Sequence, residues 1–141
     1  MDKLITFAIP CYNSAAFMSN CIESLLGAGD DTEIIIINDG SADNTGAVAD
    51  SYAEKYPDKI RAIHQENGGH GAGVNRGIAE ASGKYYKVVD SDDWLDAGAL
   101  AKVMARLRDF AKMPAPVDML IANYVYEHVE DNTQKVMGYK N

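Results

Sequence analysis

The sequence of 141 residues carries only two cysteines, Cys11 and Cys21. Two thiols cannot build the bridged framework of a small secreted domain, and they fall short of the ligand set a zinc site needs. The default is a pair of free thiols in a reducing compartment. No apolar run approaches the ~18 consecutive residues of a membrane span. The opening MDKLITFAIP has no apolar core long enough for a cleavable signal. Basic residues are also in deficit, with 13 Lys and Arg against 21 Asp and Glu, a formal charge of -8. That balance argues against a nucleic-acid binder, which needs a basic face. The acidity reads as solubility. Repeats and low-complexity tracts are missing too. These absences together predict a soluble, cytoplasmic chain. Its 47% of apolar residues can form a core without staples.

What is present is an alternation of strand and helix patterns. LITFAI (4–9) is an apolar, β-branched run that Pro10 is expected to stop. A helix follows, with Ser14 as N-cap, Phe17, Cys21, Ile22, Leu25 and Leu26 on one face, and Gly27 or Gly29 as exit. The four isoleucines 34–37 are apolar on both faces, as a central parallel strand requires. SADNTGAVADSYAEKYPD reads as a helix ended by Pro57, KIRAIHQ as a shorter strand, and GAGVNRGIAEASG as a helix closing at Gly83. KYYKVVD reads as another buried strand, with Tyr85 and Tyr86 on its two faces. LDAGALAKVMARLRDFAK is amphipathic, with Leu100, Val103, Met104, Leu107 and Phe110 inward and Asp96 as N-cap. Two strands around the polar turn EDNT close the chain, with Tyr124 and Tyr126 on one face. The order predicts an α/β fold, an open and mostly parallel sheet with helices on both faces.

Such sheets bind ligands at the carboxyl ends of their strands. Here those ends are chemically loaded: PCYN (10–13), NDGS (38–41), QENGGHGAGVNRG (65–77) and DSDD (90–93). Parallel strands bring them to one edge, which gathers Asp39, Asp90, Asp92 and Asp93. Crowded carboxylates cannot all ionise cheaply unless a cation sits among them. Oxygen-only ligands suit a hard ion, Mg2+ or Mn2+. Asp96 reads instead as a helix cap, and Asp93 divides evenly between cap and ligand. Gly68, Gly69, Gly71 and Gly73 let backbone approach a ligand closely at a helix start that favours an anion, although a flexible turn would need glycine too. Trp94 is expected to anchor its loop by packing.

In order and spacing these residues resemble the family 2 glycosyltransferases, which have the GT-A (Rossmann-like) fold. FAIPCYN resembles a first strand ending IPxYN, and EIIIINDGSADNT resembles EIIVVDDGSTDNT. The segment from His64 to Tyr85 resembles the family's ENGG stretch, and VVDSDDWLD its LDSDDxL signature. The likeness runs over about residues 3 to 96. It implies a metal-dependent, inverting transfer of sugar from a nucleotide-diphosphate donor, UDP-linked by expectation, to a saccharide or lipid-linked acceptor. It also implies a role in cell-surface polysaccharide synthesis. By the same likeness Pro10, Tyr12 and Asn13 would lie against the base and Asp39 would accept from a uracil N3–H. Gly69 and Ser91 would adjoin the nucleotide sugar, Asp90 would hold ribose or a metal-bound water, and Asp92 would bind Mn2+ or Mg2+.

Three departures qualify the likeness. Asn38 stands where the family often has aspartate. Val74 replaces an arginine, and Arg76, two positions on, falls on a different helix face, as a surface residue. His70 is read as structural or solvent-exposed. Third, the family domain normally continues beyond a length like this one. The expectation is therefore a donor-binding N-terminal portion, truncated on its C-terminal side, with the catalytic base beyond Asn141. Nothing marks Glu127, Glu130 or Asp131 as that base. No span is expected here, although peripheral membrane association of a full-length enzyme stays open. A non-catalytic nucleotide-binding fragment is the main alternative. A haloacid-dehalogenase-type phosphotransferase is the lesser one, since its D-x-D would follow the first strand.

Overall fold

The computed structural model describes residues 2–115, 118–120, 124–128 and 133–137, the last two segments by backbone, with Val136 alone placed to its side chain. The chain divides into two units, residues 1–109 and 110–141. In the first, β1 (Ile5–Cys11), β2 (Thr32–Asp39), β3 (Ile60–Gln65) and β4 (Tyr85–Val88) form a parallel sheet in the order β3-β2-β1-β4. The connecting helices are α1 (Met18–Leu25), α2 (Thr45–Lys55) and α3 (His70–Glu80), and α4 (Ala97–Ala111) follows β4. In the second unit β5 (Tyr124–His128) and β6 (Thr133–Met137) pair antiparallel, with His128 opposite Thr133, as the two-strand reading expects. The side chains of Tyr124, Tyr126 and Glu127, and all of Glu130 and Asp131, lie outside the described residues.

The isoleucine run explains the centre of the sheet. β2 has a strand on each side, pairing Ile34 with Phe7 and Ile60, and Ile36 with Ile9 and Ala62. Ile34 to Ile37 are fully buried, as a strand covered on both faces must be. Ala8, Ile35, Ile37 and Ile63 form one apolar cluster, with Tyr86 packed against it. Glycine lets α3 come down on this face. A Cβ at Gly77 would stand 2.8 Å from that of Ala8 and 2.5 Å from the Tyr86 hydroxyl, and one at Gly73 would stand 3.1 Å from the Pro10 Cβ. Tyr86 Oη donates to the Val74 carbonyl at 3.0 Å, fixing the helix from below.

Several sequence expectations change. Pro10 does not stop β1, which continues to Cys11. Alternate residues of β1 turn their backbone toward β4: Ala8 O accepts from Val89 N, and the pairing ends there. Pro10, two residues on, therefore turns its missing N–H to a side with no strand to serve. Ser14 is not the N-cap of α1. Phe17 holds that position without a side-chain cap, while the Ser14 carbonyl accepts from Phe17 N and Met18 N. The inner face of α1 is Met18, Cys21, Ile22 and Leu25, and Phe17 stays exposed. The glycine-rich helix begins at His70 and ends at Glu80, short of Gly83. Gly83 instead lies against β1, its N–H on Thr6 Oγ1 at 2.8 Å, where a Cβ would collide with the Thr6 nitrogen. In β4, the outer strand of this four-stranded sheet, Tyr85, Tyr86 and Val88 are half-buried and Lys87 is exposed. Asp96 does cap α4, its Oδ2 accepting from Ala99 N at 2.9 Å. Leu100, Met104 and Leu107 are buried along that helix. Both cysteines are free and buried.

Candidate functional site at the strand ends

All four parallel strands end on one edge, and a cleft of about 380 Å³ opens there, lined by Pro10, Cys11, Tyr12, Asp39, Asn67, Gly69 and His70. Four of the residues expected at the site, Pro10, Tyr12, Asp39 and Gly69, thus share one wall. Asn13 and Ser91 are not among the residues that line it. Asn13 sits in the left-handed region at φ 50°, which Asn tolerates better than most residues. Its N–H donates to Ser41 Oγ at 3.0 Å and its Oδ1 accepts from Ala42 N at 2.8 Å. Ser91 Oγ lies 2.9 Å from Ser14 Oγ, tying the loop after β4 to the loop after β1.

Asp39 is the best-anchored member. It is only 3% exposed. Its Oδ1 accepts from Gln65 Nε2 and Gly68 N, and its Oδ2 from Gly69 N, each at 2.9 Å; Asn67 Nδ2 adds a 3.4 Å contact to Oδ2. Burial alone would raise its pKa, but these donors outweigh burial and hold it below the usual carboxylate range. The expected acceptor of a base N–H thus has both oxygens already engaged by the chain's own loop. In this structure Asp39 holds that loop and also lines the cleft. Gly69, at φ 95°, turns the chain into α3. Gly40 lies so close to the loop that a Cβ there would meet Asn67 N at 2.6 Å.

Asp90, Asp92 and Asp93 stand beside the cleft. One carboxylate oxygen of each lies within 4.8 Å of the others, and all three are exposed. The spacing comes from a turn, Asp93 N donating to Asp90 O at 2.9 Å. Partial burial, then the charges of Asp92 and Asp90, raise the Asp93 pKa, with Lys87 acting in the opposite direction. Such a cluster suits a hard divalent cation, because the donors are all oxygens and their mutual repulsion falls when a positive charge enters. His70 completes this side, its Nε2 3.7 Å from Asp90 Oδ1.

Asn67, His70 and Cys11 were not expected in the wall. The NGG turn hinted at Asn67, since a residue before paired glycines lies where backbone approaches a ligand. His70 is exposed, as its solitary position suggested, yet it faces the acids. Burial pushes the Cys11 thiol up to about 12, so its sulfur offers no thiolate to the cleft. Trp94 differs from expectation: at 43% exposure it is not a buried anchor, and Leu95 N on Ser24 Oγ at 3.1 Å holds the loop instead. Arg76 is on the surface as expected, its Nε 3.2 Å from Glu80 Oε1.

Comparison with known proteins places this fold, with acids at the end of its fourth strand, in a family. The sequence profile of Glycosyl transferase family 2 matches residues 6–132. The chain belongs to that family. It is 36% identical over 134 residues to the putative glycosyltransferase EpsH of Bacillus subtilis, covering 94% of this chain and 36% of that protein. To glycosyltransferase GlyG of Streptococcus pneumoniae it is 32% identical over 135 residues, covering 94% of this chain and 43% of the relative. The chain thus spans well under half the length of these relatives. Among solved structures, residues 1–349 of S. aureus TarS superpose with TM-score 0.63 at 25% identity, over 77% of this chain and 33% of that fragment. Mannosyltransferase PcManGT from Pyrobaculum calidifontis, solved with GDP-Man and Mn2+, superposes with TM-score 0.63 at 22% identity, over 72% of this chain and 31% of its own.

Proposed function

We propose that this chain forms the donor side of a metal-dependent, inverting glycosyltransferase that uses a nucleotide-diphosphate sugar, with UDP as the nucleotide. The observation that carries the reading is the trio Asp90, Asp92 and Asp93, with carboxylate oxygens within 4.8 Å of one another beside the cleft. In this reading Asp92 holds Mn2+ or Mg2+ and Asp90 holds ribose or a metal-bound water. A divalent ion there would counter the diphosphate's charge and act as a Lewis acid toward the leaving group. The protein's own part is orientation. Pro10, Tyr12 and Gly69 form the wall for the nucleoside, and Tyr12, 56% exposed, offers a ring face to a base. Asn13 and Ser91 brace the loops that carry this wall, and Asp39 fixes the turn beneath it. The acceptor is a saccharide or lipid-linked hydroxyl, and the setting is cytoplasmic synthesis of cell-surface polysaccharide. The base that takes the acceptor's proton is not assigned to any residue of this chain.

Calorimetry tests this reading. UDP is expected to bind in Mn2+ and to lose at least about tenfold in affinity on chelation, the effect of one lost strong electrostatic contact. Asp92→Ala is expected to reproduce the chelated state. UDP affinity indifferent to both would refute the proposal.

A further inference from the structure

We infer that His70 is a diphosphate contact: its ring N–H donates to the distal phosphate of a nucleoside diphosphate seated in the cleft. The inference rests on the donor-site reading above and adds a residue to it. Three observations converge. First, His70 both lines the cleft and approaches the acid trio, with Nε2 3.7 Å from Asp90 Oδ1. That separation is too long for a hydrogen bond, so Asp90 does not consume the ring's donor. Second, among the described residues lining the cleft there is no lysine or arginine, and His70 is the one basic side chain. Arg76, in the same helix, places its guanidinium on Glu80. Three carboxylates and a diphosphate together exceed the charge of one divalent ion, and Lys87, whose charge acts on Asp93, does not line the cleft, so a ring donor at the cleft edge has a use there. Third, the position of His70 is built. Asp39 fixes Gly68 N and Gly69 N at 2.9 Å, and α3 starts at the next residue. The imidazole therefore projects from a pinned backbone, while its own 64% exposure leaves the ring free to turn toward a ligand. The contact requires only a ring N–H.

The test compares UDP with UMP, which lacks the distal phosphate, in calorimetry at fixed Mn2+ on wild type, His70→Ala and His70→Gln, with thermal melts to confirm folding. His70→Ala is expected to weaken UDP about tenfold, the loss of one charge-assisted hydrogen bond, with UMP unchanged. His70→Gln, which keeps a donor at similar reach, is expected to recover most of the loss. Equal losses for UDP and UMP would make the ring a nucleoside wall and overturn the proposal, as would no loss at all. A shift of the Mn2+ midpoint in place of the UDP-specific loss would make it a metal ligand and overturn it too. Wild type that binds no UDP in Mn2+ would instead bring down the donor-site reading itself, and this inference with it.

Discussion

Replacing Asp39 by asparagine removes one acceptor oxygen from the middle of the glycine loop. The amide has to place its NH2 somewhere. Over Oδ1 it would face two donors, Gln65 Nε2 and Gly68 N; over Oδ2 it would face Gly69 N, with the longer Asn67 contact behind it. The second orientation loses less, and still leaves the Gly69 N–H without its acceptor at a residue only 3% exposed. A hydrogen bond to a charged group contributes about 1.5–3 kcal/mol, and a neutral one about 1. Losing the Gly69 bond and reducing the remaining two to neutral strength sums to about 2.5–7 kcal/mol. Urea unfolding at an unchanged m-value measures the loss, and amide exchange at Gly68 and Gly69 locates it. The pH dependence supplies a second check. The folded pKa of Asp39 is lowered, so its stabilisation is complete above the unfolded value of about 3.9 and disappears as pH falls through the folded value. Asp39→Asn should therefore show a shallower acid limb than wild type. A stability change below about 0.5 kcal/mol, the range of an ordinary surface substitution, with unaltered exchange at both glycines would refute the role of Asp39 as the loop's organiser.

Two further outcomes follow from the packing. Gly77→Ala puts a methyl 2.5 Å from the Tyr86 hydroxyl and 2.8 Å from the Ala8 Cβ, so it should destabilise by about 2 kcal/mol as an overpacked contact. Pairing it with Tyr86→Phe, which frees space at the hydroxyl, should recover part of that loss in a thermal melt. Burial raises both Cys11 and Cys21 to about 12. A thiol reagent at pH 8 should therefore label neither in the folded chain and both in urea; rapid labelling of the folded chain would contradict their burial.

The sheet was legible because its signals are local and redundant. Four isoleucines in a row have few other uses, and strands alternating with helices admit few topologies. What escaped depended on partners distant in the chain. Pro10 looked like a stop, and whether a strand tolerates proline depends on whether its neighbour extends that far; β4 ends opposite Ala8. Ser14 looked like a cap by residue type, but its N–H goes to Thr45 Oγ1 at 2.8 Å and its hydroxyl to Ser91. Met18 displaced Phe17 from the core because α1 starts later than the serine suggested. In the site, the acids were readable from their own spacing. The engagement of Asp39 was not, because its donors lie 26 to 30 residues downstream.

Those distant bonds have a common consequence. The loop after β1 is fastened to the loop after β2 at Asn13 N to Ser41 Oγ, Ala42 N to Asn13 Oδ1 and Ala15 N to Asp43 Oδ2. It is fastened to the loop after β4 through Ser14 and Ser91, and Asp39 fastens the end of β2 to the loop after β3. The cleft wall is thus braced to the ends of all four parallel strands by short polar side chains, of which Asp39 also lines the cleft. Binding costs less when the receiving groups are already ordered. Asparagine, serine and aspartate in these strand-end motifs therefore contribute to the site by holding Tyr12, Gly69 and His70 in place, a role that residue type alone does not distinguish from contact with a ligand.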